Sequence, residues 1–393
     1  MIYTLEYDYS QGLYEADWID VLKRTGLEYK TLFHDCSTGD DVVKPTNYIF
    51  QNVKDINNSV GNDDYLLIDS AYIFQHEETA PNYYEVCKFV HENIDCKKII
   101  VFHPDTGIGR HNNNMVYGKV ESISPMYYLD ETAEESKNRF NMYINNTGKN
   151  KHRYLSRLVA ERWKGMMKYK TFQFTNGVMK EHRTLLYAYL KKDNLLDKCF
   201  YSYIGYDSLW GQRDKDTYKE HFETLKPKRL TEEEYNEICN DLPIYLDYQW
   251  NGRVDQDSLT LPYSCNSYFQ IVGCTNINDN TSEKSIYTSE KIFKPYLSFQ
   301  IPLFFGPMGL HSVLKKLGFN LFENIIDYEF DTILNPTERF HKQYENVHKI
   351  GQMDRYQLRD YYEENFDKLI ENYELLETLS NNYVNVLKSK LSC

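Results

Sequence analysis

One stretch, residues 289–319, constrains the fold more than any other part of the chain. It reads SEKIFKPYLSFQIPLFFGPMGLHSVLKKLGF: a helical start, a short apolar run at Ile301–Phe305, a Gly-Pro-Met-Gly turn and a second amphipathic segment from Leu310. An apolar run of strand length between two helical patterns predicts a parallel strand of an α/β domain. Pro295 predicts a kink or an early end in the first helix. Such domains bind ligands at the carboxyl ends of their strands.

The start of this stretch has the composition of an anion site. Thr288 or Ser289 can cap the first helix, which places Glu290, Lys291 and Lys294 in its first turns. Unpaired N–H groups and the helix dipole attract an anion there. Two lysines three residues apart lie near one face of a helix, so both can reach a diphosphate. The plain alternatives are a solvated helix face for the lysines and a first-turn acid that stabilises the helix dipole.

A second segment, earlier in the chain, also places basic residues between a predicted strand and a predicted helix. A strand predicted at Lys170–Phe174 is followed by Asn176 and a basic run that ends in Arg183, and a helix is predicted from Thr184 to Leu190. A guanidinium group suits a diphosphate because it can bridge two phosphate oxygens. The sequence therefore predicts that positive charge from two separate segments converges on one pyrophosphate.

Together, the two segments resemble the donor-side half of glycosyltransferases with the GT-B fold. The nearest is the fucosyltransferase-like group, including members from phages and marine microbes, in which a Thr/Ser-Glu-Lys-x-x-Lys/Arg segment begins a helix. In that group a strand followed by Asn and a basic-His-Arg run also precedes a Leu-rich helix. The resemblance covers residues 170–331. It implies an α/β protein with two Rossmann-like doubly wound domains facing a cleft, and a long C-terminal helix.

Residue by residue, the resemblance implies that Glu290 holds the nucleotide ribose and that Lys291 or Lys294 holds the diphosphate. The donor site it implies also includes other polar positions: Asn176, Lys180, His182, Arg183 and Ser289. The donor is a UDP- or GDP-sugar, and no metal or other cofactor is implied.

The chain departs from this group at two places. Many relatives have Arg-Pro where this chain has Lys180-Glu181, so a negative charge stands beside the expected phosphate site. An acidic residue often follows the strand that ends near Val272 in relatives, and here Gly273-Cys274 takes its place. If that acid assists catalysis in relatives, this chain does without it or uses another group.

The first 165 residues alternate predicted strands and helices, which favours a second parallel sheet. Its clearest strands are Tyr65–Ile68 and Lys98–Phe102. Asp69 follows the first of these strands, and His103 and Asp105 follow the second. Each of the three is a candidate for the base that takes a proton from the acceptor hydroxyl. Turn and capping roles are the plain alternatives.

The same loop continues with Arg110 and His111, which we expect to hold the acceptor. After it, the polar and Asn-rich residues 112–151 predict an irregular excursion. We place an acceptor-side domain at 1–165, a nucleotide-sugar domain at 166–350, and a C-terminal helix at 351–393 that packs back towards the first domain. That helix is predicted from Asp354 to Leu391, with a break near 372–374.

The formal net charge of −13 argues against a non-specific nucleic-acid binder, although it leaves room for a local basic groove. Eight cysteines include no C-x-x-C pair, so neither a zinc site nor a disulfide framework is predicted. The N-terminus does not have the pattern of a signal peptide, and no apolar run nears the length of a membrane span. We therefore expect a soluble, reduced, cytoplasmic protein, in the host cell if the chain is viral.

The resemblance implies a transferase that moves a sugar from a nucleotide diphosphate to a hydroxyl, most simply that of a glycan. One alternative acceptor is a modified base in DNA, motivated by the phage relatives. Another alternative is a non-catalytic binding protein on the same fold, for which the missing acid at Cys274 is the best support. The oligomeric state is left open.

Overall fold

The computed structural model describes most, but not all, of the chain. The described residues are 1–7, 22, 25–35, 45–69, 83–102, 116–123, 164–176, 179–203, 217–242, 244, 261–264, 266–274, 277 and 290–391. The chain divides into two compact units. The first comprises residues 1–131, 281–288 and 378–393, and the second comprises residues 132–280 and 289–377. The domain boundaries that the sequence suggests, at 165 and 350, stay predictions.

The first unit contains a sheet of six strands in the order β2-β1-β3-β4-β6-β5. The strands are β1 (Ile2–Tyr7), β2 (Tyr29–Asp35), β3 (Tyr65–Asp69), β4 (Lys98–Phe102), β5 (Val116–Tyr117) and β6 (Val120–Ile123). Every neighbouring pair is parallel except β5 and β6, which form an antiparallel hairpin. The predicted parallel sheet is therefore confirmed for this unit.

Two helices of this unit, α1 (Pro45–Ser59) and α2 (Tyr83–Asn93), supply buried residues to the core of the sheet. Leu66, Ile68, Ile99 and Val101 are fully buried there, as expected for central parallel strands covered on both faces. The expectation that residues 112–151 are irregular is wrong for 116–123. Val120 is fully buried against β4, because its side chain completes the core despite its polar neighbours in sequence.

The second unit contains a sheet of four parallel strands in the order β10-β9-β7-β8. They are β7 (Lys170–Asn176), β8 (Cys199–Tyr203), β9 (Ser267–Gly273) and β10 (Ile301–Phe305). All residues of β9 and β10 are buried, as in central parallel strands covered on both faces, although only β10 is a continuous apolar run. The α/β class predicted from the sequence is confirmed in both units.

Helices accompany this sheet. They are α3 (Glu181–Lys192), α4 (Thr217–Leu225), α5 (Glu232–Cys239), α6 (Leu261–Ser264), α7 (Lys294–Leu297), α8 (Leu310–Lys316), α9 (Pro336–Gly351) and α10 (Arg355–Glu364), with α11 (Phe366–Leu391) last in the chain. Short 3₁₀ turns occur at Leu196–Lys198, Glu290–Ile292 and Glu329–Thr332. No helix among the described residues is both long and apolar enough to cross a bilayer.

The C-terminal helical region is broken earlier than the sequence suggests. The helical run predicted from Asp354 is interrupted at Asn365, which ends α10. The break expected near 372–374 is wrong, since α11 continues through those residues. Asn372 is fully buried and exchanges hydrogen bonds with the backbone of Asn320, so this polar residue packs inside the fold rather than ending the helix.

Candidate functional site

The second sheet changes winding direction beside β7. From β7 the chain passes to β8 on one side, then returns to β9 and β10 on the other. In doubly wound sheets, ligands bind outside the carboxyl ends of the strands at such a switch point. Asn176 ends β7 and Gly273 ends β9, so these two residues border the expected crevice.

Arg183 lies across this edge of the sheet. Helix α3 begins at Glu181 rather than at Thr184 as predicted, which places His182 and Arg183 in its first turn. The Arg183 side chain is only 3% exposed. Its Nε donates to the Gly273 carbonyl at 3.0 Å, and its Nη2 donates to the Cys274 carbonyl at 3.0 Å.

Glycine at position 273 makes this arrangement possible. A Cβ atom there would lie 2.6 Å from Cγ of Arg183 and 3.2 Å from Oδ1 of Asn176. The first distance is closer than packed carbon atoms approach, so any larger residue displaces the arginine. Gly306 plays a similar part after β10, because a Cβ there would lie 2.8 Å from Sγ of Cys274. Gly273, which stands where relatives often carry an acid, thus leaves room for the Arg183 side chain.

His182 shares the same carbonyl with Arg183. Its Nε2 lies 2.9 Å from the Cys274 oxygen, which can only accept, so Nε2 carries the proton. Complete burial lowers the pKa of His182 well below its ordinary value, and the adjacent Arg183 charge lowers it further. The ring is therefore neutral, and Nδ1 is an acceptor. Among the described residues Nδ1 has no hydrogen-bond partner, and neither has Nδ2 of Asn176.

The segment that opens the 289–319 stretch differs from its prediction. Glu290–Ile292 is a 3₁₀ turn, and α7 is a separate helix of one turn whose first turn contains Pro295. The regular helix expected from Ser289, with Lys291 and Lys294 on one face, is therefore wrong. The interruption expected from Pro295 is confirmed: the 3₁₀ turn ends at Ile292 and α7 begins at Lys294, so Pro295 stands in a first turn, where its missing N–H is not needed.

The charge of Lys291 nevertheless affects the same buried thiol as the charge of Arg183. Burial raises the pKa of the Cys274 thiol to about 12, and the charges of Arg183 and Lys291 both oppose that rise. Two cations from distant parts of the sequence therefore act on one buried atom at the switch point. Lys180 caps α3 only through its backbone, and both it and Lys294 are partly exposed.

The remaining predicted site residues are only partly described. Ser289, His103, Asp105, Arg110 and His111 lie outside the described residues, as does the side chain of Glu290. Their predicted roles stay predictions.

For Asp69 the structure gives the backbone position. It ends β3 and pairs in register with Phe102, the last residue of β4. Asp69 therefore lies at the carboxyl end of β3, beside the end of β4.

Sequence reasoning missed Arg339. It is 1% exposed, and its guanidinium donates to the backbone carbonyls of Gly306, Ile277, Ile333 and Leu334. It ties the segment after β9 to the turn after β10. A signal was available: Arg339 lies on the face of α9 that also buries Gln343 and Val347, where an apolar residue is expected.

A second polar cluster lies at the start of α8. Asp331 accepts hydrogen bonds from the backbone N–H groups of His311 and Ser312 at 3.0 and 2.9 Å and from the Ser312 hydroxyl at 2.8 Å. Nδ1 of His311 lies 3.1 Å from the same carboxylate. Burial alone raises the pKa of Asp331, but the hydrogen bonds and charge of His311, together with Ser312, outweigh it and hold the pKa at about 2.

Comparisons with protein-family models, curated proteins and solved structures find no match to this chain. The resemblance to GT-B glycosyltransferases therefore remains a sequence prediction. The geometry of the second sheet supplies the independent argument for a ligand site.

Proposed function

We propose that this protein is a glycosyltransferase that uses a nucleotide-diphosphate sugar, with the donor bound in the second unit. A glycan hydroxyl held by the first unit is the proposed acceptor, in the GT-B manner. One observation carries the proposal: the buried Arg183 guanidinium donates to the carbonyls of Gly273 and Cys274 at the switch point of a parallel sheet. Such a place is where a doubly wound domain binds a nucleotide.

The chemistry of transfer explains why positive charge belongs here. As the sugar leaves, negative charge develops on the diphosphate, and fixed cations stabilise it. Arg183 donates to the carbonyls of Gly273 and Cys274, so these bonds hold a guanidinium group in a buried setting at the end of β9. The first turn of α3 adds its dipole, and no side chain caps that helix start.

The other roles follow from the resemblance. Glu290 would hold the ribose, and Lys294 and Ser289 would contact the diphosphate. Asp69, His103 or Asp105 would take the acceptor proton.

Titration calorimetry with inorganic pyrophosphate, UDP, GDP, CDP and ADP tests the donor site. We expect Arg183→Ala and Lys291→Ala each to weaken diphosphate binding by ~1.5–3 kcal/mol, the contribution of a charge-assisted hydrogen bond. Lys316→Ala is the matched control, because Lys316 is an exposed lysine at the end of α8. Unchanged affinity in both site variants contradicts the proposal. A thermal-shift panel identifies the base, since a ligand at a hundred times its Kd stabilises by ~2.7 kcal/mol.

A non-catalytic binding protein is the second candidate, and one observation favours it. With a pKa of about 12, the Cys274 thiol stays protonated at neutral pH and is no substitute for the acid that relatives often carry after this strand. Release of free sugar or transfer from any nucleotide sugar that the protein binds separates the two candidates. Binding without turnover favours the second.

The acceptor is tested separately. Retention of duplex DNA containing a modified base, falling steeply as salt rises, favours the DNA acceptor. A flat response to salt favours the glycan.

A further inference from the structure

Two buried polar atoms at the switch point have no hydrogen-bond partner among the described residues. They are Nδ2 of Asn176, at the end of β7, and Nδ1 of His182, in the first turn of α3. Asn176 is 7% exposed and His182 is fully buried. Buried polar atoms are nearly always paired, so two exceptions at one sheet edge call for an explanation.

The side chains that carry these two atoms lie around the end of one strand, β9. Oδ1 of Asn176 and Nε of Arg183 are 3.2 and 3.1 Å from the point where a Cβ of Gly273 would stand. His182 and Arg183 both donate to the next carbonyl, that of Cys274. Asn176, His182 and Arg183 therefore surround the end of β9 together.

Their hydrogen-bonding capacities are opposite. Nδ2 of Asn176 is a donor only. Nδ1 of His182 is an acceptor, because Nε2 holds the ring proton against the Cys274 carbonyl. An ionised phosphate oxygen can accept from Asn176 but has no proton to give to His182. A hydroxyl group can pair with either atom, because it both donates and accepts.

We propose that Asn176 and His182 form a hydroxyl-recognition pair that binds the sugar or ribose part of the nucleotide-sugar ligand, while Arg183 and Lys291 bind its diphosphate. This inference rests on the proposed function. His182 therefore acts as a neutral acceptor and makes no direct contribution to phosphate binding. Since both atoms are shielded from bulk water, the pair favours a ligand that the protein encloses.

Two substitutions at His182 separate ligand binding through Nδ1 from the structural hydrogen bond that Nε2 donates to Cys274. In His182→Gln the amide nitrogen reaches the position of Nε2 and keeps the bond to Cys274, but the acceptor at Nδ1 is lost. In His182→Asn the amide oxygen takes the position of Nδ1, but the bond to Cys274 is lost. Asn176→Leu removes the donor in a side chain of similar shape. The probes are inorganic pyrophosphate, UDP, GDP, UDP-glucose and GDP-mannose, measured by titration calorimetry on the full chain.

We expect His182→Gln and Asn176→Leu to lose roughly 3–10-fold in affinity for the nucleotides and nucleotide sugars that the wild type binds, as for one neutral hydrogen bond. His182→Asn should bind them like the wild type, and all three variants should bind pyrophosphate within about twofold of it.

Other outcomes overturn the inference. If His182→Gln binds nucleotide sugars as the wild type does, an internal water fills the place assigned to the hydroxyl. If His182→Asn loses as much affinity as His182→Gln, the residue acts only through Cys274. In both cases pyrophosphate binding that depends on Lys291 leaves the proposed function standing. If the wild type binds neither pyrophosphate nor any nucleotide, the proposed function fails and this inference fails with it.

Discussion

Two buried histidines occupy equivalent places in the second sheet and have opposite surroundings. His182 lies in the first turn of α3, which follows β7, and His311 lies in the first turn of α8, which follows β10. His311 meets the carboxylate of Asp331, which also accepts from the backbone at the start of α8. His182 meets a carbonyl and the cation of Arg183, and one of its nitrogens is left without a described partner.

The difference separates a cluster that stabilises the fold from one that suits a ligand. At the outer strand β10, a carboxylate satisfies the helix start and the histidine together. At the switch point between β7 and β9, the side chain of the N-cap residue Lys180 makes no capping hydrogen bond, and the buried Arg183 carries a positive charge. A bound anion or hydroxyl group can form hydrogen bonds at the start of α3, as the Asp331 carboxylate does at the start of α8.

The largest expected effect is a loss of stability when the cluster of Asp331, His311 and Ser312 is changed. Asp331→Asn keeps the shape of the side chain but removes the charge that accepts from His311 and Ser312. A pKa of about 2, against an ordinary 3.8, corresponds to about 2 kcal/mol of stability at neutral pH. We expect urea unfolding to show a loss of about 2–3 kcal/mol, with pyrophosphate binding unchanged. If Asp331→Asn also loses pyrophosphate binding, the Asp331 cluster is not purely structural, and its contrast with the cluster around Arg183 is wrong.

The pH dependence of this effect has a definite sign. Because the folded-state pKa of Asp331 is lowered, its contribution is present above the ordinary value of 3.8 and disappears as the pH falls to about 2. The stability difference between wild type and Asp331→Asn should therefore shrink over that window. A constant difference shows that the carboxylate acts through packing alone.

Gly273→Ala tests the close approach of Arg183. The new Cβ would lie 2.6 Å from Cγ of Arg183, so the guanidinium must move away from the end of β9. We expect a loss of about 1–3 kcal/mol in the free energy of unfolding, together with weaker pyrophosphate binding. Gly61→Ala is the control, because its Cβ would meet only the Asp64 side chain, at 3.3 Å and beyond. Full pyrophosphate affinity in Gly273→Ala refutes the phosphate role of Arg183.

His182 should make the protein sensitive to mild acid. Burial and the Arg183 charge lower its pKa in the folded state, whereas the unfolded chain takes up a proton below about 6.5. Stability should therefore fall as the pH drops below about 6.5, by at most ~1.4 kcal/mol per pH unit for one histidine. His341, lowered by burial and the charges of Lys228 and Arg229, adds in the same direction. Unfolding curves for His182→Gln should show a smaller slope, and an identical slope contradicts this assignment.

The smallest effect concerns the uncapped start of α3. Helix α5 has a capping box in which Thr231 and Glu234 bond each other's backbone N–H groups, whereas Lys180 provides no side-chain cap for α3. Lys180→Ser adds one and should stabilise the fold by about 0.5–1 kcal/mol while weakening pyrophosphate binding. Lys180→Ala removes the charge without adding a cap. If Lys180→Ser and Lys180→Ala bind pyrophosphate equally, the open helix start plays no part in binding.

Regular elements with strong local patterns could be predicted from the sequence. Lys98–Phe102, Tyr83–Asn93 and Ile301–Phe305 form the strand, helix and strand expected of them, because apolar periodicity and length suffice there. The local effect of Pro295 was also predictable, because the helical pattern is interrupted before it and α7 begins with Pro295 in its first turn. Predictions failed where packing overrides local composition, as at Val120 in a polar stretch and Asn372 inside α11.

The sequence by itself determined the α/β class, the parallel strands and the segments that carry Arg183 and Lys291. Local pattern encodes these, since each depends on neighbours a few residues away. Only the tertiary structure decided that Gly273 makes room for Arg183, that Arg339 ties two loops together, and that His182 keeps an unpartnered nitrogen while His311 pairs with Asp331. Those properties depend on atoms from distant parts of the chain that meet only after folding, and burial gives them their strength because water no longer competes.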